Sequence, residues 1–114
     1  MMHGHVTACL DAHIAYAEKE SKEAMRSCQE ILQSDPGNVE IVSLYIVLLM
    51  EAKKKNSLFL YAHQLHKEPT FLSFYAIGCY FLLIEHYNQS RRYLYKCTQY
   101  VVYFFFIDWH QSGL

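Results

Sequence analysis

The sequence predicts an all-α chain of antiparallel helix pairs stacked one on the next, a fragment of an α-solenoid. Three observations carry this. Apolar residues recur at helical spacing in six successive blocks. Short charged or turn-forming stretches separate the blocks, and two of them hold the equivalent acid-proline pairs Asp35-Pro36 and Glu68-Pro69, 33 residues apart. A stripe of small and apolar residues also returns in register. Ala24, Cys28 and Ile31 align with Leu58, Ala62 and Leu65, and again with Ser90, Leu94 and Cys97.

Residues 5–17 make the first helix, with Ala8, Ala12 and Ala15 small and helix-favouring. Glu18-Lys19-Glu20-Ser21 is a charged turn, and Ser21 is placed to cap the second helix, whose inner face carries Ala24, Cys28, Ile31 and Leu32. Asp35-Pro36-Gly37-Asn38 ends it: proline disfavours helix in the residue before it, and glycine and asparagine accept turn geometry. The third helix, about 39–52, is apolar at Val42, Tyr45, Ile46 and Leu49. Val47, Leu48 and Met50 make it apolar on nearly every side, the mark of a helix sandwiched between others. Lys53-Lys54-Lys55-Asn56 suits the negative end of its dipole and then a turn.

Leu58, Ala62 and Leu65 form the inner stripe of the fourth helix, flanked by Phe59 and Tyr61 and ending near Lys67, before Pro69. Thr70 is the cap of the fifth, about 71–84, in which Phe71, Phe74, Ile77, Gly78 and Phe81 share one face. Gly78 sits where the next helix approaches closely, because a side chain there would push the two backbones apart. A polar turn at 85–88 leads to the sixth helix, about 88–100, with Tyr87, Ser90, Leu94 and Cys97 marking its inner side.

A helix pair with this small-large-small filling and a period near 34 residues is tetratricopeptide-repeat-like, and such pairs stack into a right-handed superhelix. Three pairs fit, over 5–38, 39–70 and 71–98. Residues 99–114 are an atypical hydrophobic C-terminal tail. A fourth repeat would bring an acid-proline turn and a helix opening with an aromatic and a glycine four on. In its place stands Tyr100-Val101-Val102-Tyr103-Phe104-Phe105-Phe106-Ile107, with nothing polar to serve as a solvating cap. The tail either folds against the last helix or marks a truncated or aberrantly ended product, and the second is the preferred reading. The apolar run is under half the ~20 residues a membrane-spanning helix needs.

Composition narrows the class. The 114 residues are one small domain or part of a larger one, and seven phenylalanines and ten tyrosines are more than so short a chain can hide. Some of that surface wants neighbours. A net charge of −1 with mixed signs gives no signature of a nucleic-acid or bare-membrane binder. Lys53-Lys54-Lys55 reads as a solvated helix end. Cys9, Cys28, Cys79 and Cys97 form no Cys-x-x-Cys pair and read as reduced core cysteines of an intracellular protein. Met-Met-His-Gly-His at the start feeds no apolar run, so no secretory signal is visible.

No chemistry assembles from the sequence. His3 with His5, or His63 with His66 three apart on a helix, could share a metal, but nothing completes a four-ligand set. Zincin and phosphate-loop motifs are absent. Asp11 with His13 and Glu85 with His86 read as surface, lacking a nucleophile or cleft. The expectation is a non-enzyme with no catalytic residue, cofactor, metal or small-molecule substrate. What remains is recognition by a curved helical surface.

First helices line the concave face of such arrays, so outward groove positions are Leu72, Tyr75, Cys79, Leu82 and Leu83 in the third pair. In the second they are Glu40, Ser43, Val47, Met50 and Glu51. The apolar members could equally pack against neighbouring repeats. Tyr75, rigid and amphipathic, is the best single candidate for a protein contact. Arg91, Arg92 and Lys96 lie on a second helix, where pairing or solvent is as good a reading as docking. Three rivals stand beside the scaffold reading. One is a small helical enzyme or metal-binding domain. Another is a generic adaptor clamping an acidic tail, disfavoured because 39–50 and 71–84 hold no Lys or Arg. The last is a product without settled function that aggregates through Phe104-Phe105-Phe106.

The stretches Asn56-Ser57-Leu58-Phe59-Leu60-Tyr61-Ala62-His63-Gln64-Leu65, Ser73-Phe74-Tyr75-Ala76-Ile77-Gly78-Cys79-Tyr80 and Arg91-Arg92-Tyr93-Leu94-Tyr95-Lys96-Cys97-Thr98 resemble the anaphase-promoting complex subunit 6 family, the cell division cycle protein 16 family. Phe74 stands where that family usually has tryptophan and Cys97 where it has alanine; both keep a packing role. The resemblance is good over about 28–98 and stops near Thr98. It implies a central piece of a longer repeat superhelix, found in nucleus and cytoplasm. The family's protein homodimerises through N-terminal repeats. It acts as a scaffold in the ubiquitin ligase that marks mitotic cyclins and securin, holding other repeat subunits and a small helical accessory subunit. Catalysis belongs to other subunits of that ligase.

Overall fold

The computed structural model describes residues 2–111, with side chains from Thr7 onward. Six helices account for nearly all of them: α1 (Met2–Ala17), α2 (Ser21–Ser34), α3 (Val39–Glu51), α4 (Lys55–Leu65), α5 (Phe71–Leu83) and α6 (Tyr87–Gln111). They form two compact units, divided between Ala52 and Lys53. Within each unit successive helices pack antiparallel, α2 lying between α1 and α3 in the first and α5 between α4 and α6 in the second.

Both units hold fully buried side chains. In the first, Ile41, Ile46, Leu48 and Leu49 of α3 are fully buried with Cys28 and Ala24 of α2 and Ala12 of α1. That is why α3 is apolar around most of its circumference. The second is built on Leu58 and Ala62 of α4 and on Phe74, Ala76 and Cys79 of α5.

Caps and turns explain the breaks. Asn38 caps α3, its Oδ1 accepting the Ile41 amide at 3.2 Å, and its Nδ2 reaches Cys9 Sγ at 3.5 Å. Thr70 caps α5 in a capping box: Thr70 Oγ1 accepts from the Leu72 amide at 3.2 Å, and Ser73 Oγ accepts from the Thr70 amide at 3.0 Å. Ser21 does not cap α2. The cap position is Glu20, with no side-chain cap bond, because the helix starts one residue earlier than a serine cap requires.

The turn after the first helix of each pair has one recurring device. Lys19, Lys53 and Glu85 all adopt positive φ, at 63°, 56° and 64°. They lie 34 and 32 residues apart, the same steps that relate the aligned stripes. After α1 and α5 the backbone closes as a Schellman motif. Lys19 and Glu20 donate to Tyr16 O and Ala15 O, and Glu85 and His86 donate to Leu82 O and Phe81 O. Left-handed backbone costs a side-chain-bearing residue about 1–2 kcal/mol, and glycine nothing sterically. Glu85→Gly or Lys53→Gly is therefore expected to raise stability by about 0.5–1 kcal/mol after glycine's greater unfolded-state entropy is counted. A rise of a few degrees in Tm checks it.

The sixth helix, expected over 88–100, continues without a break to Gln111. No glycine or proline occurs between Pro69 and Gly113 apart from Gly78, so nothing in the backbone ends it earlier.

Candidate protein-binding surface

The junction of α5 and α6 is the tightest contact in the second unit. A Cβ on Gly78 would lie 2.6 Å from Leu94 Cγ and Cδ2 and 3.2 Å from the Leu94 amide nitrogen. Beside it the buried Ser90 hydroxyl donates to Gly78 O at 2.8 Å. Two small residues thus let α6 lie down on α5. Phe74 anchors the next layer, between His66 (centroids 5.2 Å), Tyr93 (6.3 Å) and Tyr100 (5.0 Å), with Lys96 Nζ 5.9 Å above its ring.

The stripe residues differ in burial. Ala24, Cys28, Ile31, Leu58, Ala62, Phe74, Gly78 and Ser90 are buried, while Leu65, Phe81, Leu94 and Cys97 are half-buried. Burial pushes the Cys28 and Cys79 thiols up to about 11. The linkage runs accordingly. Their folded values lie above the ordinary 9.0, so the stability they confer is complete below about pH 9 and is lost as pH rises through 11. Urea midpoints are expected to fall less between pH 9 and 11 in a Cys28→Ala/Cys79→Ala variant than in the parent chain.

The groove positions separate into two groups. Leu72 and Cys79, at 8% and 4% exposure, are buried and offer no outward surface, because α5 is covered by α4 on one side and α6 on the other. Tyr75, Leu83, Val47, Met50 and Ser43 are half-buried, and Leu82 is exposed. On α3, Glu40 stands 3.8 Å from His13 Nε2, and Glu51 accepts the Tyr16 hydroxyl at 2.7 Å, raising the Tyr16 pKa above its usual value. Both carboxylates are thus engaged by α1.

Other candidates resolve locally. His63 stacks on Phe59, whereas His66 Nδ1 meets Ser73 Oγ at 3.0 Å. His86 Nδ1 meets Gln89 Oε1 at 2.9 Å and its ring stacks on Phe81. The side chains of His3 and His5 lie outside the described residues. Among the described residues no group of three or more His, Cys, Asp or Glu is placed to hold a metal, and no helix is long and apolar enough to cross a membrane. A groove of about 470 Å³ between α1 and α2 is lined by Asp11, Ser27 and Arg26, the last held by Glu23 and Glu30.

Exposed apolar surface is concentrated elsewhere. Val102, Tyr103, Phe105, Phe106 and Trp109 of α6 face solvent, with Phe105 at 75% exposure, and Phe104 is exposed beside its contact with Phe71. The sequence showed their composition but not their helical placement, because a run apolar at every position has no periodic face to read.

No protein-family model matches the chain. Curated relatives do. The cell division cycle protein 16 homolog of Mus musculus is 31% identical over 99 residues, covering 78% of this chain and 16% of its own length. Anaphase-promoting complex subunit 6 of Arabidopsis thaliana is 34% identical over 70 residues, covering 60% and 13%. Anaphase-promoting complex subunit CDC16 of Saccharomyces cerevisiae is 26% identical over 87 residues, covering 75% and 10%. The chain spans about a sixth or less of the length of these relatives. By homology along most of its own length, and as a short stretch of theirs, it belongs to the cell division cycle protein 16 family, that of anaphase-promoting complex subunit 6.

Proposed function

We propose that the chain is a non-catalytic protein–protein interaction scaffold, a repeat segment of the anaphase-promoting complex subunit 6 type. Its partners are other repeat subunits of that complex, within the nucleus and cytoplasm. The observation that carries this is the homology to relatives named as subunits of the complex, over 60–78% of the chain. The stacked helix pairs are consistent with it, as such arrays present their helix faces for recognition. The repeats are taken as 5–38, 39–70 and 71–98. Contact residues are taken as Tyr75, Leu82, Leu83, Val47 and Met50, which keep exposed or half-exposed side chains.

The test is co-expression of the tagged chain with the repeat subunits of the complex in human cells, followed by affinity purification. Co-elution with those subunits, weakened by Tyr75→Ala and Leu82→Ala, is the expected result. Elution free of them, under conditions where a tagged full-length relative retains them, overturns the proposal.

A further inference from the structure

We propose that the outward face of α6 is a homodimer interface, in which two copies of this chain pair their α6 helices antiparallel about a two-fold axis at Val102. The stripe of α6 that packs on α5 runs through Tyr93, Cys97, Tyr100 and Phe104, as the Phe74–Tyr93, Phe74–Tyr100 and Phe71–Phe104 ring contacts show. Opposite that stripe, at 100° per residue, lie Tyr95, Thr98, Val102, Phe106 and Trp109. All five are exposed, Tyr95, Val102, Phe106 and Trp109 by more than half.

Three features single out a second copy as the occupant. The first is spacing. The steps along the seam are three, four, four and three residues, so the seam reads the same in both directions, as an isologous antiparallel contact requires. The second is shape. A two-fold axis at Val102 sets Tyr95 of one copy against Trp109 of the other, an aromatic pair, and Thr98 against Phe106, a small residue facing a large one. The third is area and charge. Aromatic side chains bury roughly 150–250 Å² each, so the exposed part of the seam with flanking Phe105 offers on the order of 700 Å². A standard interface takes about 800 Å² per partner. None of the five seam residues carries a formal charge, and an axis at Val102 sets Lys96 opposite Asp108, so the pairing sets no like charges against each other. This contact is distinct from the N-terminal dimerisation that the family resemblance implies.

The experiment is sedimentation equilibrium of the full chain over a wide concentration range, alongside Val102→Glu and Val102→Cys. Val102 is exposed, so Val102→Glu leaves the fold in place, which circular dichroism checks, while it sets two carboxylates against each other at the axis. The parent is expected to sediment as a dimer and Val102→Glu as a monomer. Trp109, the single tryptophan, is expected to emit at shorter wavelength in the dimer only. Mild oxidation is expected to cross-link Val102→Cys into a covalent dimer faster than it cross-links the parent. If Val102→Glu loses helicity, this cross-link alone decides. A parent that stays monomeric overturns the proposal, whether or not it binds phosphatidylcholine vesicles. So does a dimer indifferent to Val102→Glu, an open-ended assembly, or a Val102→Cys that cross-links no faster than the parent.

Discussion

Phe74→Ala is expected to destabilise the chain by about 3–5 kcal/mol, a large share of the ~5–15 kcal/mol that holds a small domain together. Phe74 is buried at the end of α5 nearest Pro69, where its ring touches three aromatic side chains from two other segments: His66 after α4, and Tyr93 and Tyr100 of α6. Lys96 Nζ lies 5.9 Å over the Phe74 ring and 5.2 Å over that of Tyr93, so truncation also takes one of the ammonium's two aromatic partners. A chemical-denaturation midpoint measured by circular dichroism reads the loss. Phe74→Trp is expected to cost far less, because it keeps an aromatic face toward all of these groups. A loss below about 1 kcal/mol for the alanine variant would mean the ring cluster is peripheral to the core.

Gly78→Ala is expected to cost about 1–2 kcal/mol even though alanine is the better helix former by about 1 kcal/mol. The added Cβ would meet Leu94 at its branch carbon, 2.6 Å away, and at its backbone nitrogen, 3.2 Å away. Neither atom is the free end of a flexible side chain, so α6 itself has to lift. Lifting it stretches the 2.8 Å bond from Ser90 to Gly78 O. Leu94→Ala removes two of the three close atoms, so the double variant is expected to lose at least about 1 kcal/mol less than the sum of the two single variants. Additive losses would show that no such clash exists.

These two positions also mark what could be read without coordinates. Pro69, the Thr70 cap, the 3.6-residue stripe of α5 and Gly78 are local signals, and each places backbone on the helix pair seen in the structure. The positions of Leu72 and Cys79 were not legible in the same way. Their angular place on α5 suggested an outward face, but α5 has apolar residues all round and neighbours on both sides, and angular place alone does not say which neighbours are present. The end of α6 was hidden for the opposite reason. Val101 to Ile107 is uniformly apolar and lacks a breaker, so it offers neither a stripe to phase nor a stop to find. The left-handed residues Lys19, Lys53 and Glu85 carried no glycine to announce them. Only their common spacing, seen with the fold in hand, ties them to the repeat.

The cap of α5 has a consequence for where one proton resides. Ser73 Oγ carries a single hydrogen, and it is donated to Thr70 O at 2.8 Å. The same oxygen accepts the Thr70 amide at 3.0 Å. The imidazole nitrogen 3.0 Å away donates to that oxygen when the hydroxyl hydrogen stays on Thr70 O and receives that hydrogen when it does not, so the tautomer of His66 and the hydroxyl of the cap are one linked choice. A ¹⁵N spectrum of the two ring resonances of His66 reads that choice, and Ser73→Ala, which removes the shared oxygen, is expected to shift them.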